Sequence, residues 1–134
     1  MSRAHDLLAE TVKAQEAASH PDVSAWVSAN AGAGKTHVLM MRVMRLLLKG
    51  AQPERILCLT YTKAAAAEMS TRIFDELSKW ATASDADLVD LLGKVLGRKP
   101  VADERTRARR LFAAAIETPG GLKVQTIHAL CTRL

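Results

Sequence analysis

A glycine-rich loop at residues 28–36 places the strongest constraint on how this chain can fold. It reads Ser-Ala-Asn-Ala-Gly-Ala-Gly-Lys-Thr and lies between the apolar stretch 25–27 and an apolar run that begins at Val38. A strand, a glycine-rich turn and a helix in this order aim backbone N–H groups at an anion. Gly32 and Gly34 allow the backbone to approach a phosphate closely. The sequence therefore predicts a nucleotide-binding loop.

Two side chains at the end of this loop carry the expected chemistry. Lys35 can reach the β- and γ-phosphates as a point charge, and the Thr36 hydroxyl can ligate Mg²⁺. The strict pattern has Gly at position 29, where this chain has Ala29. A small-residue turn that only lets a helix pack near a strand is the alternative interpretation. The Gly-Lys-Thr sequence in a strand–turn–helix context favours nucleotide binding.

The pattern of apolar residues predicts an α/β domain with a parallel sheet. Strands are predicted at 26–28, 56–60 and 123–126, and helices at 4–18, 34–49, 63–80, 84–97, 103–117 and from 127 onwards. The strand at 56–60 is apolar almost throughout, so we expect it to be central and covered on both faces. The helix at 34–49 is apolar nearly all round, so we expect it to be buried against the sheet. The helices between about 82 and 118 form an insertion in this alternating order.

Length and composition set the broad class of the protein. The 134 residues are enough for one domain, and the net charge of +5 makes a nucleic-acid partner only somewhat more expected. No apolar run approaches the ~20 residues that span a bilayer, and the charged N-terminus is unlike a secretory signal. We therefore expect a cytoplasmic protein without membrane contact. Cys58 and Cys131 are expected to be buried, reduced thiols, with a disulfide as the weaker alternative.

Several other residues are candidates with a structural alternative. Tyr61, Thr62 and Lys63 follow the second strand at the edge where α/β sheets place ligands. Thr62 could equally cap the next helix, and a single histidine such as His128 is more often structural than ligand-binding. Four arginines are expected on the solvent-facing side of the helix at 103–117, as a solvated face or, less expected, as a phosphate-contacting surface: Arg105, Arg107, Arg109 and Arg110. That helix is expected to turn Ile116 inward.

Hydrolysis at a loop of this kind also needs an acidic residue after another apolar strand, to hold the Mg²⁺ shell and position water. Asp90 is the nearest candidate, but its surroundings predict an amphipathic helix. We therefore expect the chain to be part of a longer protein. By itself it is expected to bind nucleotide weakly and hardly to hydrolyse it.

Four segments together resemble the N-terminal part of a superfamily-1 DNA helicase of the UvrD/Rep type. They are Gln15 upstream of the loop, Ala29-Asn30-Ala31-Gly32-Ala33-Gly34-Lys35-Thr36, Leu59-Thr60-Tyr61-Thr62-Lys63-Ala64-Ala65-Ala66-Ala67-Glu68-Met69, and Thr126-Ile127-His128-Ala129-Leu130-Cys131. The resemblance covers almost the whole chain. It implies an incomplete RecA-like P-loop NTPase sheet, flanked by helices and carrying a helical insertion.

The resemblance also assigns roles to residues. It implies that ATP and Mg²⁺ are bound, with Gln15 reading adenine, Lys35 and Thr36 as the catalytic pair, and Thr36 holding the metal. The remaining nucleotide contacts are Ala29, Asn30, Ala31, Gly32, Ala33, Gly34 and His37. The implied DNA contacts are Tyr61, Thr62, Lys63, Thr126 and His128. Tyr61 stands where the family more often has Phe, which keeps an aromatic ring for a base to stack on.

Within this superfamily, the insertion of about forty residues before Thr126 is most similar to the RecB/AddA subunits of bacterial helicase–nucleases. The resemblance implies a fragment, residues 1–134, of an ATP-dependent 3′→5′ DNA helicase or translocase acting in double-strand-break repair and recombination. It implies three partners: single-stranded DNA, duplex DNA and a second, AddB-like subunit. A simple UvrD/Rep-like repair helicase and a different P-loop enzyme, such as a small-molecule kinase, remain alternatives. The 134 residues alone are expected to be a non-hydrolysing binding module.

Overall fold

The fold consists of helices around a small parallel sheet. The computed structural model describes residues 2–28, 34–119 and 121–134. Its helices are α1 (Ser2–Ala18), α2 (Lys35–Lys49), α3 (Lys63–Thr82), α4 (Asp85–Leu96), α5 (Ala102–Glu117) and α6 (Ile127–Arg133); its strands are β1 (Leu57–Thr60) and β2 (Lys123–Thr126). A short 3₁₀ turn at Pro53–Arg55 leads into β1. Most predicted elements are therefore present within a few residues of their expected bounds.

Within the described residues, the sheet has two parallel strands rather than the three that the sequence predicts. β1 pairs with β2 in the register Leu57–Lys123 to Thr60–Thr126, which confirms the parallel arrangement. The strand predicted at 26–28 is wrong, because residues 24–28 are described without strand pairing. Trp26 in this segment is 95 % exposed. Trp26, Val27 and Ser28 have no hydrogen-bonding neighbour strand among the described residues, so their composition alone does not make them a strand.

One face of β1 is open, which corrects the prediction of a strand covered on both faces. Cys58 is buried in the same core cluster as Met69 and Ile73 of α3. Leu57 and Leu59 point the other way and are 46 % and 40 % exposed. Side chains alternate between the two faces of a strand, so α3 covers only one of them.

The main core lies between helices. The largest fully buried side chains are Trp80, Met44, Leu47, Leu48, Ile73, Leu77, Leu88, Leu92 and Val43. They come from α2, α3 and α4, and α5 adds Ala108, Leu111 and Ala115. α2 packs mainly against α1, α3, α4 and α5, and its buried side chains share one core cluster with Ile56 and Cys58. Its expected burial is therefore confirmed, but helices provide more of it than the sheet does. Its apolar circumference is explained by neighbouring helices on several sides.

The segment predicted to be an insertion forms a pair of helices, α4 and α5, that packs on the rest of the core. The hydroxyl of Ser84 accepts a hydrogen bond from the Asp87 amide at 3.2 Å and so caps α4. At the start of α5, Arg98 donates two hydrogen bonds to Glu104, at 2.8 and 2.9 Å. These hydrogen bonds lower the pKa of the Glu104 carboxyl, and the Val101 amide also donates to it.

The four arginines of α5 do not form one solvated face. Arg107 donates to the carbonyl oxygen of Leu48 at the end of α2. Arg109 donates to the carbonyl oxygens of Trp80 and Ala83 and to the Asp85 carboxylate. Arg105 and Arg110 are exposed, as expected. Helix ends leave carbonyl groups without intrahelical partners, and the guanidinium groups of Arg107 and Arg109 donate hydrogen bonds to such carbonyls. Ile116, predicted to face inward, is 59 % exposed because α5 turns only Ala108, Leu111 and Ala115 fully into the core.

The two cysteines differ in exposure. Both are free thiols, which agrees with the prediction that they are reduced. Cys58 is buried, and burial raises the pKa of its thiol. Cys131 is exposed, so its predicted burial is wrong. It lies on α6, where none of the described side chains is buried.

None of the helices in the described ranges has the length and hydrophobicity to cross a bilayer.

Candidate nucleotide and nucleic-acid sites

The C-terminal part of the glycine-rich loop forms the start of α2. Gly34 caps this helix with φ +84°, a left-handed conformation that favours glycine. Lys35, Thr36 and His37 follow in its first turn and are all exposed. The predicted nucleotide contacts Ala29, Asn30, Ala31, Gly32 and Ala33 lie outside the described residues. The described part agrees with a helix whose N-terminal amides face an anion.

Gln15 lies beside this helix start. A Cβ built on Gly34 would be 3.0 Å from Nε2 of Gln15. The side-chain amide of Gln15 therefore lies against the backbone of Gly34, in the space that the side chain of any larger residue at position 34 would occupy. Gln15 is half-buried near the C-terminal end of α1. The structure thus brings together the predicted base-reading glutamine and the end of the predicted phosphate loop, which are separated in sequence.

A cleft of about 430 Å³ opens next to Lys35. Its walls are mainly small or apolar, and Lys35 and Arg42 are the cations that line it. The full lining is Ala18, Ser24, Ala25, Val27, Lys35, Val38, Leu39 and Arg42. A cation at a helix N-terminus next to an apolar wall fits a ligand that has an anionic end and a flat, less polar end.

The second candidate site is a groove at the end of the sheet. Tyr61, Lys63, Thr126 and His128 line one groove of about 470 Å³, together with Ala129, Thr132 and Arg133. Tyr61 is 91 % exposed, so its ring is free to stack on a flat partner. Four of the five predicted DNA contacts therefore share one surface. Thr62 is next to it but is not among the residues that line the groove.

Two threonines at this edge cap the helices that leave the sheet. Thr62 Oγ1 accepts a hydrogen bond from the Ala65 amide, and Thr126 Oγ1 accepts one from the Ala129 amide, both at 3.1 Å. Thr126 is buried, whereas Thr62 is exposed. The alternative prediction that Thr62 caps the next helix is therefore confirmed. A capping hydroxyl retains lone pairs for a further contact.

Some residues at these sites carry no separate signal in the sequence. Arg133 joins the groove because Ala129 and Arg133 are one helical turn apart on α6. Arg42 and Arg45 of α2 bind backbone carbonyls of the segment before the loop, and their spacing of three residues places them on one face. That spacing is visible in the sequence, but the carbonyl groups that the two arginines bind are not.

Neither described strand is followed by an acidic residue. Asp90 is exposed on α4 and therefore belongs to a helix, as expected. Within the described ranges, His, Cys, Asp and Glu side chains form no group that could hold a metal ion.

Comparison with known proteins places the chain in a family. Residues 11–134 match the UvrD/REP helicase N-terminal domain family. The match covers nearly the whole chain, so the chain belongs to this family. No solved structure matches the chain.

Three curated relatives are each named as the A subunit of an ATP-dependent helicase/nuclease. The protein from Latilactobacillus sakei is 32 % identical over 92 % of this chain and 12 % of its own length. Those from Enterococcus faecalis and Levilactobacillus brevis are 35 % and 44 % identical, over 82 % and 60 % of this chain and over 7 % and 6 % of their own lengths. The resemblance to helicase–nuclease subunits is thus confirmed. The chain spans at most about an eighth of the length of these relatives.

Proposed function

We propose that this chain is the nucleotide- and DNA-binding start of the first motor domain of an ATP-driven DNA translocase. The convergence of Tyr61, Lys63, Thr126 and His128 on one groove is the observation that carries this proposal. DNA binding explains why the segments at 61–63 and 126–128, which are distant in sequence, line one groove. A small-molecule kinase would not need these two segments. The similarity to relatives named as helicase/nuclease subunits supports the same assignment.

At the nucleotide end, we assign each described residue one task. Gln15 selects adenine, and its amide can exchange a donor and an acceptor with the base edge. Lys35 stabilises charge on the transferring phosphoryl group, and the Thr36 hydroxyl holds Mg²⁺. When bound, ATP supplies the reactive phosphoanhydride. The loop residues 29–33 are proposed to complete the cradle with backbone amides, in a RecA-like arrangement.

At the DNA end, the groove combines an aromatic platform with cations. Tyr61 is proposed to stack on a base, while Lys63 and Arg133 neutralise backbone phosphates. Thr62, Thr126 and His128 are proposed to donate hydrogen bonds to the strand. This combination tolerates any base sequence, as a translocase requires. The 3′→5′ direction remains a proposal from family likeness.

The catalytic acid must come from elsewhere in the protein. β1 leads into Tyr61 and β2 into Ile127, so neither described strand supplies a carboxylate for the Mg²⁺ shell. We infer that the 134 residues bind ATP and DNA without rapid turnover. Rapid hydrolysis would require the further motor elements of a longer chain, including arginine fingers and a second motor domain.

The name that these relatives share also suggests an assembly. They are named as one lettered subunit of a helicase/nuclease, and a lettered subunit belongs to a complex. We therefore propose that an AddB-like protein is the second subunit, and that the complex acts in double-strand-break repair in the cytoplasm. A simple UvrD/Rep-like helicase without nuclease would share the two described sites. Co-purification of a second protein with nuclease activity separates the two possibilities.

The decisive experiment is ATP hydrolysis by the full-length protein with and without single-stranded DNA. Lys35→Ala should lower DNA-stimulated turnover by about 10²-fold or more, because it removes charge stabilisation of the transferring group. Lys99→Ala is the matched control, since Lys99 is an exposed lysine in the turn between α4 and α5. Near-normal turnover of Lys35→Ala, or a lack of DNA stimulation in the wild-type protein, would refute the assignment.

A further inference from the structure

α1, the helix that carries Gln15, is weakly held by apolar packing. Its apolar side chains Leu7, Leu8 and Val12 are 59 %, 68 % and 50 % exposed. Among the described side chains of residues 3–19, Ser19, just beyond the C-terminal end of α1, is the one that is buried. Hydrophobic burial therefore contributes little to fixing where Gln15 lies relative to the start of α2.

Two arginines of α2 hold the C-terminal end of α1 instead. Arg45 Nη1 donates to the carbonyl oxygen of Glu16 at 3.1 Å. Arg42 donates to the carbonyl oxygens of Ala18, His20 and Val23 at 3.3, 2.9 and 2.6 Å. Carbonyls at a helix C-terminus lack intrahelical partners and favour a cation, so both guanidinium groups are well placed for this task.

Arg45 also reaches the helical insertion. Its Nε donates to the carbonyl oxygen of Val95, in the last turn of α4, at 2.7 Å. The end of α4 lies against the end of α1, because a Cβ built on Gly97 would be 3.7 Å from Oε1 of Glu16. One guanidinium therefore joins the helix that bears Lys35, the helix that bears Gln15 and the insertion.

We propose that Arg45 is a positioning residue that sets the adenine-reading geometry of Gln15 and makes it depend on the insertion. Gln15 is the immediate neighbour of Glu16, whose carbonyl Arg45 binds, and the Gln15 amide abuts the Gly34 cap of the same α2 helix. The distance between the base-reading amide and the phosphate-binding turn is thus set along α2, from Gly34 to Arg45. This inference rests on the proposed function.

The contrasting explanation is that Arg45 only stabilises the fold. A purely structural role lowers the activity with every nucleotide equally, whereas a positioning role for Gln15 changes the preference among bases. The readout is therefore the ratio of kcat/KM for ATP to that for GTP. It is measured on the full-length protein with saturating single-stranded DNA.

Arg45→Ala should lower this ratio about five- to tenfold through a higher KM for ATP, with kcat for ATP and kcat/KM for GTP within about twofold of wild type. Gln15→Ala should lower the ratio at least as much. The double variant should resemble Gln15→Ala alone, because both substitutions remove the same contact. Lys94→Ala is the control, since it removes a cation beside Val95 that is exposed on α4.

Arg45→Lys covers the case in which Arg45→Ala fails to fold. A lysine keeps the charge but cannot span both carbonyls, so an intermediate ratio is expected. Equal losses with ATP and GTP, or effects of Arg45→Ala and Gln15→Ala that multiply, would overturn the inference. Wild-type protein that hydrolyses neither nucleotide would refute the proposed function itself. Wild-type protein that hydrolyses both equally would remove the base-selecting role of Gln15, and this inference with it, but not the phosphate-loop assignment.

Discussion

Thr60 lies opposite Thr126 in the register of β1 and β2, so the segments that follow them leave the sheet at the same edge. Tyr61 comes directly after Thr60, and His128 comes two residues after Thr126. Thr126 is buried and caps α6, which fixes the direction in which that helix starts. Backbone pairing therefore assembles the groove, and the side chains at its edge are available for ligand contacts.

Two substitutions in this groove should weaken binding of single-stranded DNA in different ways. Tyr61→Ala should cost about 1–3 kcal/mol by loss of stacking, with an unchanged salt dependence. Lys63→Ala should weaken binding less at high salt than at low salt. It should reduce the slope of log K against log salt by about 0.7, because one phosphate contact is lost. Fluorescence anisotropy of a labelled oligonucleotide at several salt concentrations measures both quantities in the full-length protein.

Lys79→Ala is the control for this pair. Lys79 lies near the other end of α3, about 24 Å from Lys63 at 1.5 Å per residue, and pairs with Glu76. Its removal should leave DNA affinity and salt slope unchanged. Equal slopes for wild type and Lys63→Ala would show that this lysine does not contact a phosphate.

Local signals predicted α3 and α4 well because both helices begin at a recognisable residue. Thr62 and Ser84 cap α3 and α4 in the structure, and both are typical N-cap residues in the sequence. The parallel pairing of β1 and β2 also follows from the alternation of strands and helices. The caps depend on neighbouring residues only, and the parallel pairing follows from the order of the elements, which is why the sequence alone was enough for both.

The wrong predictions concern contacts between distant elements. Trp26 and Val27 are apolar, but residues 26–28 have no strand partner within the described chain. Leu57 and Leu59 are also apolar, but no layer of the described residues covers them fully. Arg107 and Arg109 carry the pattern of a solvated face, yet helix ends that the sequence cannot place receive their hydrogen bonds. The family resemblance implied an adenine-reading role for Gln15, whereas its position beside Gly34 is a finding of the structure.

Gly34→Ala should impair ATP use more than its size suggests. The left-handed φ of +84° costs an L-residue roughly 1–2 kcal/mol, and the new Cβ would stand 3.0 Å from Nε2 of Gln15. We expect the amide to move, which raises KM for ATP by about tenfold if one hydrogen bond to the base is lost. Steady-state kinetics of the full-length protein measures this effect.

Gly93→Ala is the matched control for that glycine. Gly93 lies inside α4, and a Cβ there would meet only the Arg98 carbonyl oxygen, at an ordinary 3.8 Å. This substitution should raise the free energy of unfolding by about 0.5–1 kcal/mol, since alanine is the better helix former. If Gly93→Ala raised KM for ATP as much as Gly34→Ala does, the special role of Gly34 would be disproved.

Glu104→Gln should change how stability depends on pH. The hydrogen bonds from Arg98 lower the pKa of Glu104 in the folded state, so the unfolded chain binds the proton more readily. This carboxylate therefore contributes stability that is fully present above the ordinary glutamate pKa and is lost as the pH falls through its lowered value. Urea unfolding from pH 7 down to pH 3 should show the wild-type advantage over Glu104→Gln shrinking.

Arg98→Gln tests the cause of this pH dependence. If the Arg98 hydrogen bonds are responsible, this variant should lose most of the same pH dependence, and the double variant should add little to either single change. A wild-type advantage over Glu104→Gln that stays constant from pH 7 to pH 3 would exclude the assigned origin.

Thiol labelling should distinguish the two cysteines. Cys131 is exposed on α6, whereas Cys58 is 4 % exposed and its pKa is raised by burial, so little reactive thiolate forms there. A chromogenic disulfide reagent at pH 8 should therefore modify Cys131 rapidly and Cys58 only when β1 opens or the protein unfolds. Cys131→Ser should remove the fast phase, and Cys58→Ser should leave it intact. Peptide mapping of singly labelled protein identifies the modified residue, and rapid native labelling at Cys58 would contradict its position beneath α3.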